Sequence, residues 1–166
     1  MVTVKDTLLQ QAASQGMDEF IQVFIDAIRQ ELGGELTASN MHLLNSDQLT
    51  LLGYIALRDE VMDGGFIQLI HNGWGTFIYR NPFGKAVRAW GIVDLYRIVS
   101  HTHRLYSRCH EDVERDMDDD EFMSLYEKYP ESDDYDDAFV EHEEAFTDAV
   151  AHYIDDHIDQ FATIQQ

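Results

Sequence analysis

Asp116, Asp118 and Asp120, followed by Glu127, stand at the spacings of positions 1, 3, 5 and 12 of a calcium-binding loop, whose oxygens would surround the ion. Position 6 of such a loop needs glycine for its sharp turn, and here it is Glu121. Phe122, Met123, Leu125 and Tyr126 continue as a helix, so the expectation is an acid-rich helix N-terminus, favoured by the macrodipole. His142-Glu143 opens like the zinc-protease pattern HExxH, but the second histidine is replaced by Phe146. His101 and His103, like His152 and His157, lack the i, i+4 spacing of a helical metal pair. A metal site assembled between helices stays open as an alternative, as do paired carboxylates for glycoside hydrolysis. Gly64-Gly65-Phe66 and Asn72-Gly73-Trp74-Gly75 fit neither phosphate-binding glycine pattern and read as tight turns. No Ser or Cys sits in a recognisable nucleophile elbow. The reading is therefore of a protein without catalytic residues, metal or cofactor, with a metal-dependent enzyme or a calcium-binding protein as the alternative.

What these residues share is charge. Of the 32 acids, 21 lie from Glu111 to Asp159, and only Arg115 and Lys128 oppose them after residue 110. Residues 111–166 thus carry −19, whereas residues 1–110, with 11 acids and 9 bases, carry −2. A disordered acidic tail would be poor in aromatics, yet Phe122, Tyr126, Tyr129, Tyr135, Phe139, Phe146, Tyr153 and Phe161 are threaded through this half. From Asp136 onward, Phe139, Phe146, Val150, Tyr153, His157 and Phe161 recur mostly at three or four residues, one apolar stripe of a helix. Asp137, Glu141, Glu144, Asp148, Asp155 and Asp159 recur at three, four or seven on another face. At 1.5 Å per residue the stretch from 137 to 159 spans about 33 Å, close to the ~34 Å turn of B-DNA. Like charges at this spacing repel by roughly 0.2–0.5 kcal/mol a pair, so a buried apolar face must offset them. A plain solvated face that keeps the protein soluble is the competing reading.

A pI near 4.4 disfavours direct contact with nucleic acid or anionic lipid and points to a basic protein as partner. The length of 166 residues and a hydrophobic content of 45% suit one folded domain spanning residues 1–166. The lone Cys109 cannot form an internal disulfide, which suits a cytoplasmic protein. The N-terminal residues lack the basic-then-apolar order of a signal peptide, and no apolar run reaches membrane-span length.

The elements that must hold the acids are helices. Residues 7–32 are amphipathic, with Leu8, Leu9, Ala12, Phe20, Val23, Phe24, Ala27 and Ile28 inward, an interruption at Gly16 and a stop at Gly33-Gly34. Asn45 and Gln48 have capping-box spacing before a helix from Ser46 to about Asp63, with Leu49, Leu52, Tyr54, Ile55, Ala56, Val61 and Met62. Gly64-Gly65 stops it and Phe66 to Ile70 form a short helix. Residues 74–79 read as loop or short helix, and Asn81-Pro82 as a cap with proline at the first helical position. A helix to Trp90 follows, then one over about Ile92–Met117 with Val93, Leu95, Tyr96, Ile98, Val99 and Leu105 inward. Asp118 caps a helix from Asp119 to Tyr129, which Pro130 ends, and the acidic helix closes an all-α chain.

Several stretches resemble a bacterial DNA-mimic protein family, most of whose members are uncharacterised. They are Asn40-x-His42-Leu43-Leu44-Asn45, Asp47-Gln48-x-x-Leu51-Leu52, the run from Arg58 to Gly73, Asn81-Pro82-Phe83, Asp120-Glu121-Phe122 and Asp136-Asp137-x-Phe139-x-Glu141-x-Glu143-Glu144. The resemblance covers about residues 40–161, with 1–39 as an N-terminal helix and loop. It implies an all-helical homodimer whose acidic surface occupies the DNA-binding site of a repressor-type transcription factor. The acidic surface proposed to meet that partner comprises Asp116, Asp118, Asp119, Asp120, Glu121, Asp133, Asp134, Asp137, Glu141, Glu144, Asp148, Asp155 and Asp159. The near-neutral first 110 residues are left for a dimer interface, with the apolar run Trp74, Phe77, Ile78 and Tyr79 either there or packed inside one chain.

Overall fold

In the computed structural model, which describes residues Met1–Gln166, nine α-helices account for most of the chain. They are α1 (Asp6–Gln15), α2 (Met17–Leu32), α3 (Ser46–His71), α4 (Gly75–Tyr79), α5 (Phe83–Ala89), α6 (Val93–Glu114), α7 (Asp119–Lys128), α8 (Ser132–Asp156) and α9 (Ile158–Phe161). The all-α expectation holds, with a small addition. Strands β1 (Thr3–Lys5) and β2 (Thr163–Gln165) pair in parallel, in the register Val4 with Ile164. The backbone divides into two compact units, Met1–Leu52 with Ala145–Gln166, and Gly53–Glu144. No helix is long and apolar enough to cross a membrane.

In the first unit, Gly16 separates α1 from α2 as expected, and Gly33, at φ 74°, closes α2 in a left-handed cap. Phe24, Ile25 and Ile28 are fully buried, each stabilising the fold by about 1.5–3 kcal/mol relative to exposure. Phe24 meets Phe161 edge-on at 6.2 Å. The capping box is formed in both directions: the Asn45 amide donates to Gln48 Oε1 (3.0 Å), and the Gln48 amide donates to Asn45 Oδ1 (2.9 Å). The same two side chains reach the end of the chain, Asn45 Nδ2 donating to the Gln160 carbonyl (2.7 Å) and Gln48 Nε2 to the Phe161 carbonyl (2.9 Å).

In the second unit the path of α3 bends at Gly64-Gly65, where Gly65 has φ 75° and ψ −173°. The bend turns Phe66, Ile67, Leu69 and Ile70 into the core, each fully buried. It is clamped from outside the helix. Tyr126 Oη donates to the Gly64 carbonyl (2.7 Å), and the Phe66 amide donates to Asp136 Oδ1 (2.8 Å). Gln68 Nε2 donates to Glu60 and Asp63, and Asn72 Nδ2 to Glu60. The run from Arg58 to Gly73 is thus the wiring of one bend.

Several expectations shift. The acidic helix begins at Ser132 and ends at Asp156, because His157 leaves helical geometry (φ −136°, ψ 36°) before α9. α6 ends at Glu114, three residues short of Met117. Asn81 does not cap α5: Pro82 holds the cap position, and Asn81 Nδ2 instead donates to the Thr76 carbonyl of α4. Leu8, Met62 and Val93, all read as inward, are exposed. In the 74–79 run, Ile78 and Tyr79 are buried within the chain and Tyr79 Oη donates to Thr102 Oγ1 (2.7 Å), whereas Trp74 and Phe77 are half-buried.

Candidate functional site

α8 keeps its acids outward because its opposite face is apolar. Phe139, Phe146, Val150 and Ile154 are buried. With successive residues about 100° apart, Asp137, Glu141, Glu144, Asp148 and Asp155 fall within about 60° of arc. All five are exposed. Along the helix, Asp137 to Asp155 covers about 27 Å. Asp159, assigned to the same stripe, is exposed but sits on α9 beyond the break, so the stripe ends at Asp155. Asp133 and Asp134, also exposed, occupy the first turn of α8, where the macrodipole favours anions.

The second cluster surrounds the start of α7. Asp118 caps the helix, its Oδ1 accepting from the Glu121 amide at 2.8 Å, and Asp119, Asp120 and Glu121 form the first turn. Asp116 lies exposed in the preceding link. Because α7 starts at Asp119, the segment with calcium-loop spacing is largely helical from its fourth position on. Nowhere do three or more His, Cys, Asp or Glu side chains gather closely enough to hold a metal ion.

The two bases of the acidic half are both engaged. Arg115 donates to Asp112 (3.2 Å) and Glu121 (2.8 Å), and Lys128 donates to Asp112 (2.7 Å), which also accepts from Tyr129 Oη (2.7 Å). The bonds from Lys128, Tyr129 and Arg115 hold the Asp112 carboxyl well below its ordinary range, and the same contact pushes the Tyr129 phenol up to about 12. Glu121 is therefore partly neutralised, and Glu131 is paired with Arg108 (2.5 Å). On the α8 stripe, by contrast, no acid pairs with Lys or Arg, and only Asp148 has a nearby histidine, His152 at 3.6 Å.

One acid was not read as special from sequence. Asp136 turns inward, and burial raises its carboxyl to about 6 against the Phe66 amide, with Asp133 and Asp137 adding repulsion. The signal was present: Asp136 stands three residues before Phe139, so it shares the inner face of α8.

Residues 42–157 match the profile of a family described as DMP19-like protein. Over 166 residues the chain is 28% identical to the DNA mimic protein DMP19 of Neisseria meningitidis serogroup B, an alignment covering 99% of this chain and 98% of that protein.

Proposed function

The chain belongs to the DMP19-like family, and on that premise we propose that it is a DNA mimic: a binding protein, not an enzyme, whose carboxylates occupy the DNA-binding surface of a basic, repressor-type transcription factor and exclude DNA from it. The observation that carries the reading is the α8 stripe, five exposed acids on one narrow arc without a Lys or Arg partner. A helix face kept merely soluble needs no such segregation, and interspersed charge of both signs would serve. Mimicry needs fixed negative charge on a rigid scaffold, and acids three or four apart on a helix lie about 5–6 Å from one another.

Charge density sets how much surface must take part. Five charges over about 27 Å is roughly half the density of a single DNA strand, which carries one per ~3.4 Å. The stripe alone falls short of a duplex, so Asp133, Asp134 and the α7 cluster of Asp116, Asp118, Asp119 and Asp120 belong to the proposed surface. Glu121 contributes less because Arg115 holds it. A homodimer, with the interface among the near-neutral first 110 residues, would double the acids offered to a two-fold symmetric repressor.

The test is capture followed by competition. The wild-type chain is used to isolate a DNA-binding protein from its own cell, and the displacement of that protein's DNA is then titrated. The quadruple variant Asp137→Lys, Glu141→Lys, Glu144→Lys and Asp148→Lys should lose displacement while keeping its helical circular dichroism. Displacement by the variant at wild-type concentration would remove α8 from the surface.

A further inference from the structure

Against the −21 of the whole chain, residues 64–110 hold six bases, Arg80, Lys85, Arg88, Arg97, Arg104 and Arg108, and the single acid Asp94. Part of this positive stretch is folded into a cavity. Between α4, α5 and α6 lies a pocket of about 390 Å³, within the size range of small-molecule sites. Its wall includes Arg80, Asn81, Lys85, Tyr96, Ser100 and His103, and no Asp or Glu. Neither Arg80 nor Lys85 forms an ion pair, although the protein has 32 acids to offer.

The pocket is built on packed groups. Tyr79, buried and bonded to Thr102 Oγ1, stacks at 5.5 Å on His103 and at 4.9 Å on Tyr106, which fixes the imidazole at the wall. Thr102 Oγ1 is anchored in turn to the Ile98 carbonyl at 2.9 Å. Arg80, at the wall, lies over the ring of Tyr106 at 5.7 Å, and the wall residue Tyr96 lies under Arg88 at 5.1 Å, with Tyr106 and Arg88 themselves outside the lining.

We propose that this pocket binds a phosphate group, either the free ion or the phosphate of a small organic ester. Two full positive charges suit a phosphate dianion better than a single carboxylate. The Asn81 amide, the Ser100 hydroxyl and the His103 ring supply further hydrogen-bond donors for the remaining oxygens. This role is separate from the acidic surface and from what that surface binds, so either can fail alone.

The test is calorimetric titration of the full chain at about 150 mM salt, where remote charge is screened beyond ~8 Å. Inorganic phosphate, adenosine monophosphate and adenosine are the three probes. Saturable binding of one phosphate-bearing probe per chain, with none for adenosine, is expected. The exposed pair Arg80→Gln and Lys85→Gln should weaken it at least about tenfold. Arg97→Gln removes one positive charge outside the pocket and should change it less than about twofold. Tighter binding of the monophosphate than of free phosphate assigns an organic ester, and the reverse assigns the ion. Absence of saturable binding at millimolar concentration, or equal weakening by Arg97→Gln, overturns the proposal.

Discussion

Gly65 and Asp136 form a tightly constrained residue pair. At φ 75° and ψ −173° the Gly65 backbone is in a region reserved for glycine, and a Cβ there would stand 2.3 Å from Asp136 Oδ2. Gly65→Val therefore adds backbone strain of roughly 1–3 kcal/mol and disrupts the bond from the Phe66 amide. A total of about 3 kcal/mol or more should appear as a lower melting temperature, and an unchanged one would refute the strain. Asp136 makes a second prediction. Its carboxyl ordinarily titrates near 3.8 and here near 6, so the fold favours the protonated form. The stability it supplies is full below its unfolded value and is lost as pH rises through about 6. Wild type should gain more stability than Asp136→Asn on going from about pH 7.5 to 5, because the amide has no proton to take up. Equal pH responses in the two proteins would mean that Asp136 titrates normally.

At the scale of elements, the helices divide by how local their signals are. Gly16, Gly33, the Asn45/Gln48 box, Gly64-Gly65 and the Asp118 cap are written in adjacent residues, and each boundary was legible in the sequence. The end of α8 was not. Tyr153, His157 and Phe161 continue the helical period, yet the chain breaks at His157. The causes lie more than a hundred residues away: Asn45 and Gln48 hold the Gln160 and Phe161 carbonyls, and β1 receives β2. A period of 3.6 records which side chains face inward, not which carbonyls are claimed by a distant cap. The candidate surface was legible as charge, since the stripe follows from spacing alone. That Glu121 is neutralised and Asp159 displaced was not, because both depend on tertiary partners. Gln48→Ala should cost more than an ordinary cap, about 1–3 kcal/mol for the unpaired buried Phe161 carbonyl beyond the ~1 kcal/mol of the box. A loss no larger than that of a typical exposed cap, measured by urea unfolding, would show that water replaces the bond.

For the molecule as a whole, the proposed mimicry predicts a salt response different in size from that of DNA. A duplex condenses counterions because its charges are about 1.7 Å apart along the axis, and their release steepens the fall of affinity with salt. The α8 stripe is several-fold sparser and condenses fewer. The partner's affinity for this protein should therefore decline with salt along a shallower slope than its affinity for DNA, so competition favours the mimic as salt rises. Parallel slopes over about 50–200 mM would argue against a sparse carboxylate surface.

The pairing of β1 with β2 also imposes an order on biosynthesis. One compact unit, residues 53–144, is contiguous in the chain, whereas the other needs both Met1–Leu52 and Ala145–Gln166. On a ribosome adding roughly 5–20 residues per second, the first strand waits about 8–32 s for its partner. During that interval Val2, Val4 and Phe24, all buried in the finished protein, lack the C-terminal residues that complete their surroundings. The contiguous unit can fold while the chain is still growing, and the other unit closes only once residues 145–166 have been made.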